Sequence, residues 1–251
     1  MKSKFFISIL FLALSLYQLQ AQNHHFWDGI EEFDGPTDDN HVLAAQIDFY
    51  FDKFVAPLPD SITLEINRLV ERANFNTDLR DFILWHLLER YRHPEYMSQD
   101  QVFVWLYDQY FSQLEIKDLN KTNLDLIREN AERLRRLALF NVAPAIQLND
   151  SLSLQSIESE YTVLFFFDHD CEVCRLERQE LDSVVAQRPE IAVLAIDMNT
   201  DEYRTDALYD LYDIEATPLI YVLDRDKRII GKKIRARQIP LLLPSFPAKQ
   251  P

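Results

Sequence analysis

Apolar residues recur at helical spacing through roughly residues 40–139, which predicts a segment built from helices alone. The clearest apolar face follows Pro59 and Asp60, a pair that predicts a helix start. The apolar residues after it are spaced at i, i+4, i+7, i+8 and i+11, so they share one side of a helix and should be buried. They are Ile62, Ile66, Leu69, Val70 and Ala73.

Further helices are predicted in the same segment. Ser98 and Gln101 have the spacing of a capping box, which predicts the start of a helix over 102–111. None of these helices carries residues at the spacing of a catalytic site. Their expected ranges are 77–91, 102–111 and 122–139.

After residue 142 the pattern changes to short runs of β-branched and aromatic residues, which predict buried strands. Helices are expected at the cysteines near residue 171 and over 201–212, so the order is β, β-α-β-α-β-β. The basic residues of 225–237 indicate an edge strand protected by lysines rather than an anion site. The expected strands are 145–148, 163–167, 191–196, 219–223 and 229–234.

The candidate reactive residues are the only two cysteines, Cys171 and Cys174, which stand where the 163–167 strand passes into a helix. The first sulfur should therefore lie at a helix N-terminus, where exposed N–H groups and the helix dipole favour a thiolate. The second sulfur follows almost one turn later, close enough to form a disulfide with the first. This arrangement is typical of a redox pair.

The cysteine pair has two alternative interpretations. A static disulfide between Cys171 and Cys174 would close a very short loop and would stabilise the fold little. A zinc site would need two more ligands, and His169 is the only histidine nearby in the sequence. The spacing favours redox catalysis, with no metal and no cofactor.

Residues 1–21 have the composition of a secretory signal, with lysines before an apolar run over 5–16 and a candidate cleavage site at Ala21. We therefore expect a soluble protein of the periplasm or cell exterior that does not span a membrane after cleavage. Leu19 is large for its place before the cleavage site, so an uncleaved anchor is the alternative. The net charge of −15 argues against nucleic acid and anionic membrane surfaces as partners.

The order of elements, with Cys171-x-x-Cys174 and a later Thr217-Pro218 opening a strand, resembles the thioredoxin fold. The resemblance is closest to the exported TlpA/ResA-like thiol–disulfide oxidoreductases, and it covers residues 142–238. It implies an α/β thioredoxin-like fold for this part of the chain.

The helical segment resembles the uncharacterised N-terminal domain that precedes such modules in Bacteroidota proteins. Phe26-Trp27-Asp28 and the aromatic helix over 103–111 carry that likeness, which brings no known activity. We therefore expect an all-α domain ahead of the thioredoxin-like fold. The expected parts are a signal peptide over 1–21, a helical domain over 22–140 and a thioredoxin-like domain over 141–251.

The resemblance also implies roles for individual residues. Cys171 would be the nucleophile and Cys174 the resolving thiol, with Pro218 as a cis-proline beside them. The Thr217–Pro218 sequence alone fits either isomer. The supporting residues are expected to be Thr217, Asp170 and Glu172.

Acidic residues surround Cys171 in the sequence, and negative charge disfavours a neighbouring thiolate. We therefore expect a weak oxidant, nearer the thioredoxin potential of about −270 mV than the DsbA potential of about −120 mV. Glu177 lies one helical turn past Cys174. The resemblance favours a role in moving the Cys174 proton over the alternative of a solvent-facing glutamate. The acids are Asp168, Asp170, Glu172 and Glu177.

These features together predict an enzyme that exchanges disulfides with exported proteins, on the reducing side, and draws electrons from an unidentified donor. A peroxidase is disfavoured because Asp168 stands where such an enzyme would have threonine or serine. The alternative function is a partner-binding protein that uses the thioredoxin-like fold as a scaffold with little or no redox turnover.

Overall fold

The computed structural model describes residues 26–27, 41–148, 153–199 and 206–244, so the expected signal peptide lies outside the described residues. The chain forms two compact units that alternate along the sequence. One contains residues 41–93 and 108–119, and the other contains 94–107 and the described residues from 120 onwards. The domain boundary expected near residue 140 stays a prediction. Within the described residues, no helix is long and apolar enough to cross a membrane.

Among its described residues, the first unit contains three α-helices: α1 (His41–Phe54), α2 (Pro59–Ala73) and α3 (Thr77–Arg90). Pro59 occupies the first turn of α2, where its missing N–H is not needed. Asn76 caps α3, because its side-chain oxygen accepts hydrogen bonds from two backbone amides of the first turn. The expected apolar face of α2 is confirmed, since all its members are buried: Ile62, Ile66, Leu69, Val70 and Ala73.

Polar contacts join α1 to α3 across this unit. The carboxylate of Asp48 accepts a hydrogen bond from Arg90 Nη1 at 2.7 Å and lies 3.0 Å from His86 Nε2. Arg90 Nη2 donates to Asp52 at 2.5 Å. These ion pairs connect two helices, and the sequence predicted no catalytic site in this segment.

The second unit begins with α4 (Asp100–Leu106) and also contains α5 (Lys121–Arg136). A π-helical turn over Tyr107–Phe111 follows α4 in the chain, and its residues from 108 onwards belong to the first unit. The capping box expected at Ser98 and Gln101 is wrong. Gln99 precedes the helix with helical dihedrals and makes no side-chain cap, whereas a capping box needs an extended residue there. The Gln101 amide instead donates to Asp100 Oδ1 and to the carbonyl of Leu134.

A four-stranded mixed sheet in the order β2-β1-β3-β4 forms the centre of this unit. β1 pairs in parallel with β2 and antiparallel with β3, and β3 pairs antiparallel with β4. The strand and helix order expected from β1 onwards is confirmed. The bounds are β1 (Tyr161–Phe167), α6 (Glu172–Ala186), β2 (Ile191–Asp197), α7 (Asp206–Leu211), β3 (Leu219–Leu223), β4 (Ile229–Lys232) and α8 (Ile239–Leu242).

Alternate side chains of β1 enter separate apolar cores on the two faces of the sheet, as its pleat requires. Leu164 and Phe166 pack on one face with Tyr212 and Tyr221. Val163 and Phe165 pack on the other with Leu181 of α6. Because both faces are covered, the strand reads in the sequence as a continuous apolar run.

The strand expected over 145–148 is not present. This segment makes only isolated bridges, Gln147 with Ser153 and Val142 with Arg228. Pro144 lacks an N–H, and its carbonyl accepts the hydroxyl of Tyr212, so its backbone cannot continue a ladder.

The strand expected within 225–237 does lie at an edge of the sheet, but the expected protection of that edge by lysines is wrong. Backbone of residues 140–143 covers the start of β4: Phe140 N donates to Ile229 O at 2.8 Å, and Ala143 N donates at 2.8 Å to Lys227 O just before the strand. Lys227 is buried and donates to Thr162 Oγ1 at 2.9 Å. Lys232 is buried against the Asp100 carboxylate. These ammonium groups therefore serve internal contacts.

Candidate active site at the cysteine pair

The loop after β1 places Cys171 at the start of α6. Asp168 Oδ1 accepts a hydrogen bond from Asp170 N at 2.8 Å, which turns the chain, and Cys171 N donates to Asp168 O at 3.1 Å. Cys171 is the N-cap of α6, and its sulfur accepts a hydrogen bond from Cys174 N at 3.1 Å. The expectation that the first sulfur lies at a helix N-terminus is confirmed.

The two thiols differ in their access to solvent. Both are free, but Cys171 is partly exposed whereas Cys174 is only 1% exposed. Burial raises the pKa of the Cys174 thiol, and contact with Cys171 raises it further. The Asp168 backbone and the Thr217 side chain oppose this rise without cancelling it. Cys171 is thus the accessible thiol and Cys174 the protected one.

Thr217 and Pro218 lie beside the cysteine pair, directly before β3. The peptide bond between them is cis, which the resemblance implied and the sequence left open. The Thr217 side chain lies close enough to Cys174 to lower the pKa of that thiol, against the larger effect of burial, which raises it. The structure therefore brings together four of the expected site residues: Cys171, Cys174, Thr217 and Pro218.

Glu177 is buried, so the alternative of a solvent-facing glutamate is wrong. Its Oε1 accepts a hydrogen bond from Ala236 N at 2.5 Å, and its Oε2 accepts one from Arg235 Nη1 at 3.2 Å. The carboxylate thereby holds the short 3₁₀ helix Ala236–Gln238 against α6. Its role in moving the Cys174 proton stays a prediction.

The other acids face solvent or other partners. Asp170 and Glu172 each have about 78% of their side chain exposed, and Glu172 pairs with Arg175 at 3.2 Å. Water screens such exposed charges strongly. Asp168 accepts a hydrogen bond from the Asn199 amide at 3.3 Å. The opposition of these acids to the Cys171 thiolate is therefore weaker than their closeness in sequence suggests.

His169 points to the end of β2. Its Nδ1 lies 2.7 Å from Asp197 Oδ2, and this hydrogen bond raises the pKa of the imidazole. Asp168, His169 and Asp197 bring potential metal-ligand atoms within 4.8 Å of one another, and this is the only such group of three or more His, Cys, Asp or Glu residues in the described part of the chain. Neither cysteine belongs to it. Exposed carboxylates often cluster in this way without an ion, so the group alone defines no metal site.

No family model and no curated protein sequence matches this chain. A crystal structure of a thioredoxin-like protein from Bacteroides caccae superposes with a TM-score of 0.69 at 16% identity, covering 90% of this chain and 92% of that one. The thioredoxin-like fold, with helices in the preceding part, is therefore confirmed.

Two other similar structures are those of proteins named for thiol–disulfide chemistry. One is a domain of a possible thiol-disulfide isomerase from Cytophaga hutchinsonii, with 29% identity over 41% of this chain and 89% of that one. The other is a thiol:disulfide interchange protein from Bacteroides sp., with 19% identity over 45% of this chain and 94% of that one. Their TM-scores are 0.36 and 0.38, so neither adds an argument.

We predict that Cys174 is slow to alkylate. In a Cys171→Ser variant, its rate with iodoacetamide should reach half-maximum at a higher pH than that of a free cysteine. The reason is that each unit of raised pKa lowers the thiolate fraction about tenfold at neutral pH. The control is Cys174→Ser, whose remaining thiol is accessible and should react faster. Equal rates in the two variants at pH 7 would contradict the difference in burial.

Proposed function

We propose that this protein is a thiol–disulfide oxidoreductase that exchanges disulfides with exported proteins through Cys171 and Cys174. The observation that carries the proposal is the hydrogen bond from Cys174 N to Cys171 Sγ at 3.1 Å. It places the accessible sulfur at the N-terminus of α6, where backbone N–H groups stabilise a thiolate. The second thiol lies on the next turn.

The reaction follows from this order of exposure. The Cys171 thiolate attacks one sulfur of a target disulfide, forming a mixed disulfide while the other target sulfur leaves as a thiolate and takes up a proton. Cys174 then loses its proton and attacks the Cys171 sulfur. The Cys171–Cys174 disulfide forms, and the target leaves with its second thiol. Two electrons have passed to the target, and a dithiol donor must reduce the pair again.

A protein target is supported by apolar surface next to Cys171. Val173 and Leu176 of α6 each leave about half of their side chain exposed, 52% and 53%. Apolar side chains beside a reactive sulfur can hold an extended peptide while exchange takes place. The same proposal includes membership of the TlpA/ResA-like proteins and export to the periplasm or cell exterior. It also includes a role as a reductant of target disulfides.

The test is the reduction of insulin by dithiothreitol, followed as turbidity. The wild-type protein should accelerate it severalfold. A Cys171→Ser/Cys174→Ser variant should match the rate without protein, because no sulfur remains to form a mixed disulfide. If wild type and the double variant are equally inactive, the protein is a partner-binding scaffold instead.

A further inference from the structure

The partly exposed sulfur of Cys171 has a carboxylate on each side of it in the chain, Asp170 before and Glu172 after. About 78% of each of these side chains is exposed. Neighbouring Cα atoms lie about 3.8 Å apart, so neither charge can be much farther from the sulfur than one Debye length, about 10 Å at 0.1 M salt. A disulfide that reaches Cys171 must therefore enter the field of both acids.

Cations do not balance the negative charge around this sulfur. Two cations pair with the acids in the described part of the chain. Arg175 lies 3.2 Å from Glu172, and His169 lies 2.7 Å from Asp197 and 3.5 Å from Asp170. A net charge of −2 therefore remains even when His169 is protonated. The four acids are Asp168, Asp170, Glu172 and Asp197.

Acidic side chains alone define no binding site, and here the reactive sulfur defines it. Next to the sulfur, Val173 and Leu176 offer apolar surface to a target, with 52% and 53% of their side chains exposed. Glu215 adds an exposed acid on the loop before Thr217. A target thus meets apolar contacts close to the sulfur and negative charge around them. Charges in such exposed positions act mainly on the rate of encounter and on the choice of partner.

We propose that Asp170 and Glu172 determine the substrate class: they favour target disulfides flanked by lysine or arginine and disfavour acidic disulfides. The inference rests on the proposed function and deepens it. Opposite charges speed the approach of a partner, and like charges suppress the wrong one. A second copy of this chain, with its net charge of −15, is a poor target by the same criterion. So is glutathione disulfide, which carries net negative charge at neutral pH.

The first experiment measures the modification of Cys171 alone, so it needs no turnover. It uses Cys174→Ser and two methanethiosulfonate reagents, one with a trimethylammonium group and one with a sulfonate. The thiolate attacks the reagent sulfur, a mixed disulfide forms and methanesulfinate leaves. The ratio of the cationic to the anionic rate is divided by the same ratio for 2-mercaptoethanol, which removes intrinsic reactivity. This corrected ratio should be about tenfold at low salt. It should fall towards one at about 1 M salt, where the Debye length is about 3 Å.

Asp170→Asn/Glu172→Gln in the same background should lower the corrected ratio about threefold or more. The matched control is Glu180→Gln/Asp182→Asn, which removes two exposed acids of α6 at least about 12 Å further along the helix than Glu172. In each pair one acid has an arginine partner on α6. Removing the near acids also makes Cys171 easier to ionise, but this affects both reagents equally and cancels in the ratio. An equal ratio in the two double variants, or a ratio that salt leaves unchanged, would overturn the inference.

The second experiment tests catalysis with two synthetic peptide disulfides that differ only in having lysines or glutamates beside the cysteine. Dithiothreitol is the donor, and each rate is divided by the rate without protein. Wild type should reduce the lysine peptide about tenfold faster, and Asp170→Asn/Glu172→Gln should lose most of this preference. If wild type reduces neither peptide, the proposed function fails, while the reagent ratios still decide the charge preference. Equal corrected rates for the two peptides would overturn the inference and leave the proposed function standing.

Discussion

Replacing Cys171 with serine should abolish disulfide exchange, whereas replacing Cys174 with serine should preserve the first attack and accumulate covalent complexes. The accessible sulfur at the N-cap of α6 is the one that a target disulfide can reach. A serine hydroxyl is not ionised at neutral pH and cannot replace it as the nucleophile. Without Cys174, the mixed disulfide at Cys171 has no internal thiol to release it.

Both variants should keep the wild-type fold, so a difference between them in complex formation reports on the thiols. Serine is a preferred N-cap residue, so at position 171 its oxygen can accept the Cys174 amide in place of sulfur. At position 174 a serine hydroxyl can keep the contact with Thr217.

The measurement is a non-reducing gel of each variant after incubation with oxidised insulin. Cys174→Ser should give a higher-mass species that disappears when dithiothreitol reduces the disulfide, and Cys171→Ser should give none. Trapping by Cys171→Ser instead would reverse the assigned roles. The same Cys174→Ser variant, expressed in its own compartment, would retain natural partners for identification.

Local patterns predicted much of this structure. The buried face of α2 follows from apolar spacing alone, and the strand before Cys171 follows from a run of apolar residues that both faces of the sheet bury. The place of Cys171 at a helix start follows from the change of pattern at that point. Each of these depends on residues within about one turn or one strand of each other.

The errors and gaps arise where partners are distant in sequence. Glu177 binds a backbone amide 59 positions away, and Lys232 binds Asp100 across 132 positions. A lysine near an edge strand is usually solvated, and nothing in the spacing around Asp100 marks it as buried. The pair of Arg133 with the buried Asp213, which are 80 positions apart, was missed for the same reason.

Lys232→Met should be the most destabilising single substitution of a charged residue in the second unit, at about 3–5 kcal/mol of unfolding free energy. Lys232 and Asp100 are both buried, and the ammonium also donates to Leu137 O at 2.7 Å. Removing the lysine leaves the Asp100 carboxylate in the interior without its cation, and the desolvation cost of the charge is then uncompensated. Chemical denaturation of the variant and wild type measures the difference.

Two controls separate the buried charge from other effects. Asp100→Leu/Lys232→Met removes both charges and should recover most of the loss, since apolar side chains can replace a buried ion pair at little cost. Arg178→Met breaks the exposed pair of Arg178 with Asp182 and should cost less than about 1 kcal/mol. A double variant as unstable as Lys232→Met would show that packing, not charge, explains the loss.

The pH dependence of Lys232→Met gives an independent check. Burial already raises the pKa of Asp100 above 3.8 in the presence of Lys232, and it must rise further when the cation is gone. The folded variant then binds a proton more tightly than the unfolded chain, so its stability falls as the pH rises above 3.8 and recovers as the pH falls towards that value. The deficit relative to wild type should therefore shrink in mild acid. A deficit that stays constant as the pH falls to 3.8 would mean that Asp100 escapes to solvent in the variant, and that its burial depends on Lys232 rather than on the packing of α4.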